Sequence, residues 1–220
     1  MRPDKQSPLL EIYDRLVTHF GPSHWWPGES PLEIMVGAIL TQNTSWNNVE
    51  RAIERLKIEG ALSASFLNRV NEGILSEWIR STGYYRIKAK RLKNFFRFFI
   101  NEYQGLTKNM QDQPLEHLRR QLLQVNGIGP ETADSILLYA LERPIFVVDA
   151  YTHRILSRHQ LIDEDISYED LQAYFMDHLP SDPQLYNEYH ALLVRLGKEF
   201  CQKKNPRCQE CPLKILSERP

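Results

Sequence analysis

Asp149, the turn around Gly127, and the cysteines near the end of the 220-residue chain are the residues whose types and spacing suit chemistry. Asp149 follows the apolar run Phe146-Val147-Val148 and precedes a helical stretch. A carboxylate there either caps the helix or stands in a poorly solvated place, where its charge stabilises a developing cation. In Val125-Asn126-Gly127-Ile128-Gly129-Pro130-Glu131-Thr132-Ala133, two glycines flank one apolar residue between apolar helices. Such a turn either joins the helices or points its N–H groups at an anion, which the start of the next helix also favours. Cys201, Cys208 and Cys211 are the only cysteines, and their odd number argues against a disulfide framework and for testing a metal cluster. Trp25, Trp26 and Trp46 lie in polar surroundings, as core anchors or as stacking platforms.

Helices must position these groups. Apolar residues recur at three and four positions through Leu9–Phe20, and again through Leu32–Leu40, Val49–Leu56, Leu92–Ile100, Leu115–Leu123, Ile136–Leu141, Leu171–Leu179 and Tyr186–Leu196. No segment alternates as a strand. Ser7-Pro8 and Ser167, the latter with Glu169 and Asp170 behind it, read as helix starts, and Gly21-Pro22 and Gly83 as stops. The expectation is an all-α protein of roughly ten short helices, with 42% hydrophobic residues to build its core.

The net charge of -1 and a pI near 6.7 argue mildly against a nucleic-acid partner. The distribution argues the other way: Arg86, Lys88, Lys90, Arg91, Lys93 and Arg97 fall between Tyr84 and Phe99 with no acidic residue among them. That run is either a solvated helix face or a phosphate-facing stripe. The first residues lack the apolar core of a signal peptide, and no run approaches the length of a membrane span, so a cytoplasmic protein is expected. None of His24, His117, His153, His159, His178 and His190 has metal-ligand spacing with acids, and all read as ordinary.

From Ser30 to Cys211 the chain resembles the endonuclease III-like helix-hairpin-helix DNA glycosylases. Val125–Ala133 is similar to the hairpin of that superfamily, and Phe146–Arg154 to the segment that carries its catalytic aspartate. Gly83-Tyr84-Tyr85-Arg86-Ile87-Lys88-Ala89 looks like the intercalation loop, and Ala38–Trp46 resembles the end of its early helix. Cys201-x6-Cys208-x2-Cys211 matches the first three ligands of the family's [4Fe–4S] loop. Ser217 stands at the fourth position, where a thiolate is usual. The pair Trp25-Trp26 before Pro27, and the Thr41-Gln42-Asn43-Thr44 segment before Trp46, are closest in appearance to the 3-methyladenine glycosylase branch.

The resemblance implies a protein of two helical lobes, residues 26–143 carrying the hairpin and residues 1–25 with 144–220 carrying the cysteine loop, with a cleft between them. It implies base excision from double-stranded DNA by a monomer. Asp149 stabilises charge on the sugar and orients water, and Trp25, Trp26 and Trp46 stack an alkylated purine, whose electron-poor ring favours aromatic faces. Gln42 or Asn43 fills the gap left by the flipped base, and Tyr84 wedges the duplex. Arg86, Lys88, Gly127, Gly129, Thr132, Lys203 and Lys204 contact the backbone. In relatives that nick the strand, a lysine directly before Thr132-Ala133 forms an imine with the sugar; here that residue is Glu131, which cannot. A monofunctional hydrolase is therefore expected. A bifunctional glycosylase/lyase with another amine, a glycosylase for another lesion such as an oxidised pyrimidine or a mispaired base, and a non-catalytic DNA-structure binder are the alternatives.

Overall fold

The computed structural model describes residues 8–23, 25 and 28–214. Its α-helices are α1 (Pro8–Phe20), α2 (Pro31–Leu40), α3 (Trp46–Ile58), α4 (Ala64–Arg69), α5 (Glu72–Trp78) and α6 (Tyr85–Tyr103), followed by α7 (Thr107–Gln111), α8 (Leu115–Gln124), α9 (Pro130–Ser135), α10 (Ala150–Arg158), α11 (Tyr168–His178) and α12 (Pro183–Glu199). Among the described residues there is no strand. The apolar stripe expected as a helix over Ile136–Leu141 is instead a π-helix, Ile136–Ala140, continuing α9. Ser7, read as the cap of α1, lies outside the described residues.

The chain divides into two compact units, residues 27–143 and residues 1–26 with 144–220. In the first, α2 is buried at Met35, Val36, Ala38, Ile39 and Leu40 and packs against α3, α6, α9 and the π-helix. A helix apolar on nearly every face belongs inside. Ser30 sets its start, accepting a 3.2 Å bond from the Glu33 N–H ahead of Pro31. The long α6 buries Phe95, Phe96 and Phe99, with ring centroids 5.2 to 6.3 Å apart, beneath α4 and α5.

In the second unit, α1 and α10 both pack on α12. Tyr189 is fully buried, and its hydroxyl donates to the Leu9 carbonyl at 2.7 Å, joining α12 to α1. Phe146 stacks on Phe175 at 3.9 Å, and the Gln172 amide donates to the Phe146 carbonyl at 2.6 Å, which anchors the segment leading to Asp149. The approach of α10 to α12 requires Gly197: a Cβ there would stand 2.9 Å from Cγ of Tyr151.

Candidate functional site

In the 27–143 unit the site is built around the hairpin between α8 and α9. Asp134 on α9 is completely buried, and both its oxygens accept from Arg119 on α8, at 2.7 and 3.0 Å. A bidentate pair of this kind fixes the angle between the helices that flank the turn. Gly127 has φ +98, open only to glycine, and the aliphatic stem of Arg91 lies directly over it. Gly129 is exposed, Pro130 opens α9, and no side chain caps its first N–H groups. The turn therefore presents backbone donors at a positive helix end.

Gln42 is tied into that hairpin. Its amide nitrogen donates to the Gly127 carbonyl at 3.1 Å and to the Thr132 hydroxyl at 2.9 Å, and its oxygen accepts from Arg91. Asn43, by contrast, is exposed and left-handed at φ 52. Thr132 itself is buried, and its hydroxyl accepts from Gln42.

Lys88 is turned inward. It is 1% exposed, and its ammonium donates to the carbonyls of Leu40 at 2.9 Å and Thr82 at 2.8 Å, so it has no reach to a phosphate. Burial and the nearby Arg91 push its pKa down to about 8. The lysine fastens the residue that ends α2, just before Thr41-Gln42, to the residue that precedes Gly83-Tyr84. Lys93 is likewise turned inward, donating to the Val70 carbonyl at 2.7 Å and the Leu67 carbonyl at 3.2 Å. Arg86, Lys90 and Arg97 are exposed, and they are what the basic run presents to solvent. Tyr84 stands before α6 with φ 47 and is 72% exposed, a large apolar ring held out in water. The indole N–H of Trp46, at the start of α3, donates to Glu50 at 2.7 Å.

In the other unit Asp149 is the N-cap of α10 with its side chain 10% exposed, so the capping reading and a poorly solvated carboxylate coincide. One oxygen, Oδ1, accepts from the Thr152 N–H at 2.7 Å and hydroxyl at 2.9 Å. The other, Oδ2, stands 3.5 Å from Nε2 of His190 on α12. Burial pushes the carboxyl up, but His190 and the two Thr152 bonds more than offset it, holding Asp149 below the usual carboxylate range. Elsewhere on α12, Glu188 accepts from the Ser23 N–H at 2.5 Å and its hydroxyl at 2.8 Å, tethering the segment that leads to Trp25. Trp25 is half-buried; Trp26 lies outside the described residues.

Cys201 is buried, Cys208 exposed and Cys211 half-buried. Arg158 donates to the Cys201 sulfur at 3.3 Å and the Gln202 carbonyl at 2.8 Å, and Arg154 to the Cys201 carbonyl at 2.8 Å. Burial pushes the Cys211 thiol up. Among the described residues no three His, Cys, Asp or Glu side chains are arranged to hold a metal ion, and Ser217 lies outside them. The described donors thus do not by themselves fit an iron–sulfur cluster. Lys203 and Lys204 are exposed beside them.

Residues 36–181, more than half of the chain, match the family model described as the HhH-GPD superfamily of base excision DNA repair proteins. The chain belongs to that superfamily. A Methanocaldococcus jannaschii protein whose description is that of a DNA repair glycosylase is 49% identical over 97% of both chains. Endonuclease III of Thermotoga maritima is 26% identical over 94% of this chain and 90% of its own. Among solved structures, the Helicobacter pylori 3-methyladenine DNA glycosylase bound to 1,N6-ethenoadenine superposes with a TM-score of 0.76 at 27% identity, covering 87% of this chain and 97% of that one.

As an HhH-GPD glycosylase the chain has Glu131, exposed on α9, at the position directly before Thr132-Ala133. Three features of the site were not legible in the sequence: the Arg119–Asp134 clamp, the inward turn of Lys88, and His190 beside Asp149. Each joins residues from different helices, and no local spacing signals it. No helix of the described residues is long and apolar enough to cross a membrane.

Proposed function

We propose that this HhH-GPD protein is a monofunctional DNA glycosylase that releases an alkylated purine from double-stranded DNA. The observation that carries the reading is Asp149, its side chain only 10% exposed, with one oxygen committed to α10 and the other not. When the bond between the base and C1′ breaks, its electron pair leaves with the base and positive charge builds on the sugar. An ionised carboxylate in a poorly solvated place stabilises that charge. Water then bonds to C1′, and its proton passes to solvent when a cationic base leaves neutral, or to the base when it leaves as an anion. Asp149 orients that water.

Glu131 supports the hydrolytic half of the reading, because a carboxylate forms no imine with the opened sugar. The likeness to a 3-methyladenine glycosylase seen with an ethenoadenine supports an alkylated substrate. Trp25, Trp26 and Trp46 are the aromatic faces on which such a base would stack. On the DNA side, Tyr84 is the wedge, Asn43 or a released Gln42 meets the gap, and Arg86 with Lys90 and the hairpin N–H groups of Gly127 and Gly129 meet phosphates. Lys203 and Lys204 add a second basic contact. The cysteine loop takes no part in the reaction as written.

The test is base release from duplexes carrying one 1,N6-ethenoadenine or one 3-methyladenine, scored separately for freed base and for strand breaks. Freed base without breaks, no adduct trapped by borohydride, and loss of release in Asp149→Asn with duplex binding kept are the expected results. A trapped adduct would make the enzyme a bifunctional lyase. Tight binding with no release from these duplexes or from an oxidised-base panel would make it a non-catalytic binder.

A further inference from the structure

Reading Asp149 as the reacting carboxylate leaves unassigned what aims it. Its two oxygens have different surroundings. Oδ1 holds both Thr152 bonds, at 2.7 and 2.9 Å, and is engaged in starting α10. Oδ2 has neither of them and looks across to α12, where Nε2 of His190 stands 3.5 Å away. The groups that act on this carboxyl are His190 from α12 and Thr152 from α10, set against burial. The two helices are held in close approach at Gly197, where the Tyr151 ring leaves no room for a Cβ.

We infer that His190 is a positioning residue for base release, its Nε2 standing beside Oδ2 so that this oxygen faces the sugar and the attacking water in one orientation. The inference rests on the proposed role of Asp149. An imidazole suits the task better than lysine or arginine would. Its ring is short and flat, so it puts one nitrogen beside Oδ2 with no long flexible stem to order. It also supplies part of what offsets burial at Asp149. Removing it leaves a buried carboxylate with Thr152 alone, and protonation then becomes easier.

The test uses the full-length protein and a duplex with one 1,N6-ethenoadenine, measuring single-turnover base release against pH, duplex affinity and thermal melting for His190→Leu and His190→Gln. Leucine removes the donor at similar volume, and glutamine keeps an N–H at nearly the same reach. The expected result for His190→Leu is a rate lower by about 10- to 100-fold, the loss typical of a bond to a charged group, at unchanged affinity. The acid limb of its profile moves to higher pH. His190→Gln recovers most of the rate and moves the limb back. Wild-type rate and profile in His190→Leu would overturn the inference, as would a glutamine variant no better than leucine once both are shown folded by melting. Should Asp149→Asn remain active, the reading of Asp149 fails with it. Should that variant be inactive while the His190 variants behave as wild type, this inference alone fails.

Discussion

The side chain of Arg91 lies across the α-carbon of Gly127, so that a Cβ on the glycine would meet Cδ at 2.9 Å and Cβ at 3.1 Å. The same arginine holds Gln42, which in turn holds the Gly127 carbonyl. The basic helix α6, the end of α2 and the hairpin therefore form one locked group, and the first hairpin glycine is required by this packing as well as by its φ of +98.

Gly127→Ala should consequently destabilise the protein by about 1–3 kcal/mol, through backbone strain and overpacking together. It should also weaken duplex binding. Urea denaturation of Gly127→Ala, Arg91→Ala and the double variant measures this. The double variant should lose less than the two single losses added, because the overpacking disappears when the arginine stem does. Simple additivity would mean that Arg91 and Gly127 do not act on each other.

Lys88 gives a pH signature. Its folded pKa of about 8 is below the ordinary 10.5, so between those values the unfolded chain binds more protons, and stability rises with pH across that window. Below about 8 both states are protonated and the full penalty of burying the charge is present. Buried tyrosines such as Tyr189, pushed up by burial, act in the opposite sense at high pH. The difference between wild type and Lys88→Met removes their effect. That difference should shift in favour of wild type between pH 8 and 10, by on the order of a few kcal/mol at most. A flat difference would show that Lys88 titrates as in water.

Tyr84 is 72% exposed and its side chain makes no cap bond to α6. Its replacement by alanine should leave stability within about 1 kcal/mol. Base release from duplex DNA should fall by at least about tenfold, because extrusion of the base loses its wedge, whereas release from single-stranded DNA should change little. An equal loss on both substrates, or none on duplex, would remove Tyr84 from the flipping step.

Much of this molecule is written locally. The three-and-four apolar spacing, Ser167 at the start of α11 and the glycines around Ile128 mark helices and the turn by rules that act within a few residues. Asp149 also appears in its local context, after three buried apolar residues and before the helix it caps. The short helices α4, α5 and α7 were not marked by any stripe, since five to seven residues hold too few turns to show a period. The π-helix at Ile136–Ala140 shares its apolar spacing with an α-helix and differs in hydrogen bonding, which composition does not record.

What only the tertiary structure decided is which way the charged side chains point. Lys88, Lys93 and Arg86 belong to one basic run, yet the first two are drawn to buried or half-buried carbonyls of neighbouring segments and the third faces solvent. His190 has the spacing of an ordinary core histidine and becomes part of the site only because α12 passes beside the start of α10. By itself the sequence marked the longer helices, the turn and the carboxylate proposed to react, because these depend on residue type and short-range spacing. The partners of that carboxylate and of the buried lysine depend on helices that meet from distant parts of the chain, and a contact between them exists only once the core has packed.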